Sequence, residues 1–386
     1  MGAKNASSTH GYHVGMSERN AVSEPRVSRG VCHAVFAYDV GHAIDLEAAE
    51  RGLVTAAERQ TVKQKRRAPA YFEYQPAPLR ITRDAAPVEI TPGGVSTAPG
   101  CELRMYDFGA VSVAYAVPLA GPLEDLARLS YDLYGNAVLV ADSRRQLERL
   151  LAELGAAVVR PQIAQFVEDY AIFQIEELVP GGEPAALWST QAETVARILR
   201  AEVRTLSEQE TTGAIGARLS FGAADATFIA ADAALIFDAE PEDIRAVIEF
   251  ANTQLLEMRY LDQQLDAALE RAYRLLLPAR GRSGGAGRRA QPALAELAQL
   301  QLESAILFEQ VTNALKLVGE QFLARVYRLA SQHFRLSEWD AAITRKLATL
   351  ESIYAKTADR AAARRMETLE WIIIALIAIS IILGLT

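Results

Sequence analysis

The spacing of hydrophobic and polar positions changes character three times along the chain. Residues 1–30 carry no apolar run and are rich in Ser, Gly, Asn and charge, which predicts a disordered tail. From Val31 to Pro180 short β-rich runs alternate with stretches of helical period, and the pattern continues to residue 239, predicting a mixed α/β domain over 31–239. Val31–Val40 reads as a strand and Leu46–Gln64 as a helix, while the prolines of Ala70–Ile81 force an extended course. Leu103–Phe108 and Val111–Val117 flank Gly109-Ala110 and predict a hairpin. A helix is expected after Pro122, a strand over Tyr170–Val179, helical periodicity over Leu187–Leu206 and extended chain over 217–238.

Beyond Pro241 the period lengthens. Val247, Ala251, Leu255, Met258, Leu261 and Leu265 recur every third or fourth position, predicting a helix of about 35 residues that Pro278 ends. The Gly- and Arg-rich stretch 278–292 is a linker, after which Leu297, Leu302, Ile306, Leu315 and Val318 open a second long helix. A break near Arg335-Leu336-Ser337 precedes a third, so 240–368 predicts long antiparallel helices in a hairpin or bundle. The last segment, 369–386, contains the charge-free run WIIIALIAISIILGL and predicts a transmembrane helix. Leu369, Glu370, Trp371, Ile374, Ile377 and Ser380 would form the anchor, with Arg360, Arg364 and Arg365 as the basic flank. On the positive-inside rule the bulk of the chain then lies on the cytoplasmic or matrix side of a cell or mitochondrial inner membrane. The predicted fold class is therefore α+β: an N-terminal mixed α/β domain, long antiparallel helices and a C-terminal transmembrane helix.

Charge and motifs narrow the function. A net charge of −8 argues against a protein that coats nucleic acid with its whole surface, leaving only local basic clusters as candidates for RNA or anionic lipid. Those clusters are Lys63, Lys65, Arg66 and Arg67, and in the linker Arg288 and Arg289. Two isolated cysteines, Cys32 and Cys101, support neither a zinc ribbon nor a disulfide framework and read as small buried hydrophobes. There is no phosphate-binding GxxxxGK[ST], no HExxH around the five histidines and no GxSxG. No catalytic, cofactor-binding or metal-binding residue is thus predicted, no cofactor is expected, and the protein reads as a non-enzyme. A pocket built from scattered carboxylates, which leaves no linear motif, stays open as an alternative.

The stretch LARVYRLASQHFRLSEWDAAITRKLATLESIY, followed by RRMETLEWIIIALI, resembles the required-for-meiotic-nuclear-division or YagE family, as does IEFANTQLLEMRYLDQQLD before it. The matching positions are Arg325, Tyr327, Arg328, Trp339, Lys346, Leu369, Glu370 and Trp371; Ser380 departs from an acidic residue that relatives often carry. The resemblance implies a membrane-anchored, oligomeric scaffold or tether that recruits the translation machinery, with ribosome or RNA, membrane lipid and further copies of the chain as partners. Arg325, Tyr327 and Arg328 would pin a neighbouring helix or a partner, and Trp339 would anchor helix to helix. The competing expectation is an oligomeric ion channel or transporter component with the layout of CorA-type channels, though the chain lacks their Gly-Met-Asn motif.

Overall fold

The computed structural model describes residues 25–53, 57–59, 76–179, 188, 190–222, 225–238, 241–276 and 321–384, with single positions between 295 and 305. Its strands are β1 (Arg26–Asp39), β2 (Ala43–Ile44), β3 (Ala57–Arg59), β4 (Leu79–Arg83), β5 (Cys101–Met105), β6 (Ala110–Pro122), β7 (Val158–Val159), β8 (Glu168–Val179), β9 (Arg218–Leu219), β10 (Ala226–Ile229) and β11 (Ala233–Phe237). The helices are α1 (Leu46–Gly52), α2 (Asp125–Leu133), α3 (Ala137–Leu154), α4 (Ala192–Leu199), α5 (Glu208–Gly216), α6 (Glu242–Leu276), α7 (Gln321–His333) and α8 (Leu336–Gly384).

Among the described residues the strands make one nine-stranded sheet, ordered β3-β4-β5-β6-β1-β8-β11-β10-β9, and a separate ribbon of β2 with β7. Neighbours are antiparallel except β8 with β11, which run parallel, so the large sheet is mixed. β1 lies between β6 and β8 and is buried on both faces from Ala34 to Asp39, which is why it reads as an unbroken apolar run rather than an alternating one. Its side chains still sort by parity. Cys32, Ala34, Phe36 and Tyr38 join a core shared with α1 to α5, while Val35 and Ala37 join a second core shared with α6, α7 and α8. The sheet is therefore the middle of three layers, and the long helices pack on it instead of standing apart.

The predicted hairpin forms as expected, with β5 paired to β6 and Gly109 in the turn at φ 98°. A Cβ there would sit 1.9 Å from the carbonyl oxygen of Gly41, so two chain segments cross where only glycine fits. The strand expected at Val31 already starts at Arg26, inside the stretch read as tail, because residues 26–30 find partners in both β6 and β8. The helix expected over Leu46–Gln64 ends at Gly52, since Leu53 turns extended and residues 57–59 are drawn onto the edge of the sheet beside β4. Within the helical expectation over Leu187–Leu206, Trp188, Thr190 and α4 are helical, and α4 is followed by Ala201 in a left-handed conformation at φ 47°. The 35-residue helix α6 matches its prediction, and the break near Arg335 is a turn with that residue at φ 54°.

The transmembrane element of the predicted fold class is not supported. Among the described residues no helix is long and apolar enough to cross a membrane. Within the described side chains of α8, which reach Ile381, Glu367 and Glu370 stand beside the apolar residues, and no stretch of them is both long and apolar enough. The architecture is α+β with a large mixed sheet and helices on both faces.

Candidate functional site

The chemistry-bearing side chains collect in a seam between the sheet and α6. Arg245, Glu249, Thr253 and Glu257 are four residues apart in sequence, so they form one stripe along α6, and all are buried. They face His33 and Asp39 of β1, Glu102 and Arg104 of β5, and Tyr106 just after that strand, as the ion pairs, hydrogen bonds and electrostatic couplings show. At one end Glu102 accepts from three guanidinium groups: Arg80 and Arg104 at 2.8 Å each, and Arg245 at 2.8 and 3.1 Å. Burial works to raise the Glu102 carboxyl, but Arg245, Arg104 and Arg80 outweigh it and hold it down at about 2. Arg104 also donates to Glu249, and both side chains are almost wholly buried, at 2% and 1% exposure. Arg245 Nη1 lies 2.9 Å from His33 Nδ1 and donates to it. Burial first, and then the Arg245 charge, pushes the His33 imidazole down to about 3, so it stays neutral and can accept.

The other end of the seam is acidic. Asp39 and Glu257 are both buried, and among the described residues neither carboxylate oxygen of Glu257 has a hydrogen-bond partner. Burial pushes Asp39 up to about 8. It drives Glu257 well above the carboxylate range, with Asp39 adding to the rise. Burial thus favours the protonated form of both acids, which lessens the cost of an unpaired buried charge. Nearby, Arg259 donates to Glu168 and stacks over Phe166, yet burial outweighs that charge and lifts Glu168 to about 7. The seam is a fastening: a dry ionic ladder at one end and a pair of neutral acids at the other, fixing α6 to one register on the sheet.

The positions predicted from sequence fall elsewhere. Tyr327 is half-buried on α7 and donates to Gln254 Oε1 at 2.6 Å, while its ring packs near Phe250. Arg325 and Arg328 flank it but are exposed, Arg325 lying over the Phe322 ring. Trp339 is partly buried and packs against the core shared by α6, α7 and α8. Lys346 bridges Asp262 at 2.7 Å and Asp266 at 2.6 Å, clamping α8 to α6. Burial acts to lower the Lys346 ammonium, but these two carboxylates raise it. Leu369, Glu370, Trp371, Ile374, Ile377 and Ser380 all lie on α8, exposed. Arg360, Arg364 and Arg365 are in the same helix, though their side chains lie outside the described residues. The basic clusters Lys63, Lys65, Arg66, Arg67, Arg288 and Arg289 also lie outside the described residues. Both cysteines are buried and free, as read from sequence. Among the described residues no group of three or more His, Cys, Asp or Glu could hold a metal ion.

Among the described residues the last buried side chain of α8 is Ile353, and every side chain from Met366 to Ile381 is exposed. Met366, Leu369, Trp371, Leu376, Ile377 and Ile381 are each more than half exposed.

A family profile described as "Uncharacterized protein MJ0711, N-terminal domain" matches residues 29–243, which takes in nearly all of the sheet and the start of α6. The chain belongs to this family. Uncharacterized protein MJ0711 of Methanocaldococcus jannaschii (strain ATCC 43067 / DSM 2661 / JAL-1 / JCM 10045 / NBRC 100440) is 22% identical over 240 residues, covering 62% of this chain and 72% of the relative. No solved structure matches. Membership of the MJ0711 family corrects the resemblance to the required-for-meiotic-nuclear-division or YagE family. That resemblance is read from Val31 to the end, but the motifs that carry it lie after position 243, on α6, α7 and α8, whose amphipathic and apolar patterns many unrelated helices share. With it goes the support for a translation-related partner.

Proposed function

We propose that the protein is a non-catalytic scaffold whose three-layer body carries α8 as a docking arm. The observation behind this reading is the bare apolar end of α8. About 1.5–3 kcal/mol is gained by burying each large aliphatic side chain, so leaving the row from Met366 to Ile381 in water is costly unless a partner covers it. The seam supports the same reading from the other side. A catalytic group must touch its substrate, whereas Arg104, Glu249 and Glu257 are sealed between sheet and helices and either pair with one another or stay neutral. The groove of about 810 Å³ beside α1 is open and acidic, but Asp45 is committed to capping that helix. A pore would need a spanning helix, and among the described residues there is none.

The test uses the intact chain and its Ile374→Lys, Ile377→Lys variant, compared by sedimentation in detergent-free buffer and by flotation with phosphatidylcholine vesicles. The variant changes only exposed positions, so its circular dichroism should match. The wild type should enter an assembly that the variant does not. A wild type that sediments as a monomer, ignores vesicles and behaves as the variant does would refute the docking role.

A further inference from the structure

We propose that Asp39 and Glu257 form a proton-operated latch: while both carboxyls carry protons the middle of α6 lies closed on the sheet, and loss of those protons lifts it there but leaves the Arg104–Glu249 end fastened. The two acids meet because strand and helix keep step. From His33 to Asp39 the strand advances about 20 Å, and from Arg245 to Glu257 the helix advances about 18 Å. The hydrogen bond of Arg245 to His33 at one end of the seam therefore sets Glu257 beside Asp39 at the other. Both side chains lie at the boundary between the layers, at 0% and 3% exposure. Neither carboxylate oxygen of Glu257 has a hydrogen-bond partner among the described residues, so its ionised form would stand bare beside a second acid.

The elements around the pair supply no counter-charge. Burial pushes Asp39 up, and burial followed by Asp39 pushes Glu257 up; among the described residues no cation pulls either of them down. On α6 itself Tyr260 is titratable too, and it is raised by burial and then by Asp39. On β8 Glu168 keeps Arg259 for itself, and β6 sets the uncharged Ala110 opposite Asp39. On α7 Tyr327 donates to Gln254, and on α8 Lys346 is taken up by Asp262 and Asp266. Two carboxylates formed here are stabilised only by the water that an opening admits, so ionisation and opening drive each other. The other end answers pH differently. A guanidinium stays charged far above neutrality, and Glu102 is held down at about 2, so the ladder remains ionised and paired throughout the range in which the acids titrate. One helix thus has a fixed end and a releasable stretch. That stretch leads straight to Asp262 and Asp266, through which Lys346 passes the movement to α8, whatever α8 docks against.

Amide hydrogen exchange of the intact chain at pH 5, 6 and 7, corrected for the intrinsic pH dependence of exchange, detects such an opening. The two acids ordinarily titrate at 3.8 and 4.5, so over this range opening releases a proton from each, and each proton multiplies the opening equilibrium about tenfold per pH unit. Amides of residues 254–265 should therefore lose about a hundredfold in protection per unit, through an opening of their own that leaves them less protected than residues 111–117 of β6 at every pH. Glu257→Gln should reduce the slope to about tenfold per unit, and Asp39→Asn combined with Glu257→Gln should abolish it. If the double variant does not fold, the wild type decides alone. Protection over 254–265 that is flat with pH would overturn the latch. So would a single protection level shared by α6 and β6, since one global event would then release the protons in place of one helix.

Discussion

Replacing Asp39 by Asn probes the acidic end of the seam, where the carboxyl is 3% exposed and burial lifts it from 3.8 to about 8. Between those two values the folded chain binds a proton at this site that the unfolded chain has released. Stability therefore falls as pH rises, with the penalty absent below about 3.8 and fully developed above about 8. One pH unit within the window is worth about 1.36 kcal/mol, so from pH 5 to pH 7 the wild type loses about 3 kcal/mol through this group alone. The substituted amide cannot ionise, so the Asp39→Asn variant carries at most a constant penalty. Glu257 titrates in the same direction in both proteins and largely cancels in the difference. The assay is urea denaturation followed by tryptophan fluorescence at pH 5, 6 and 7, at one protein concentration. The wild type should drop relative to Asp39→Asn by about 3 kcal/mol over that range. A difference between the two proteins that is flat with pH, or that grows in the wild type's favour, would refute the claim that the carboxyl is buried as a neutral acid.

Two further expectations concern the parts that fasten the layers. Glu249→Ala leaves the buried Arg104 guanidinium without its closest partner and should cost about 3–5 kcal/mol, while Arg104→Met with Glu249→Leu should cost less, as thermal melts would show. Gly109→Ala forces a side chain into a left-handed turn and against the Gly41 carbonyl, and should lower stability by more than about 2 kcal/mol; an unchanged urea midpoint would contradict the crossing of the two segments.

How much of this was legible varies by distance along the chain. The β5–β6 hairpin follows from two β-rich runs around Gly109, because its partners are sequence neighbours. Helix α6 follows from the period of its apolar residues for the same reason. Its polar stripe was visible as Arg245, Glu249, Thr253 and Glu257, but a periodicity argument assigns charged positions to solvent. Nothing near them in sequence announces that Glu102 and Arg104, more than a hundred residues upstream, lie opposite. Helix α1 fell short of its pattern because the chain beyond Leu53 gains more from pairing at the sheet edge than from one more helical turn.

Local order, then, was written in the sequence: strand or helix, hairpin or break, and an apolar C-terminal helix, each set by steric and hydrophobic preferences acting over a few residues. Only tertiary structure decided that the long helices lie on the sheet, that α6 meets it through a buried ionic ladder beside two acids whose pKa burial raises, and that the described end of α8 leaves the body bare. Those outcomes depend on which distant surfaces exclude water together, and burial is a property of the assembled layers, not of any segment alone.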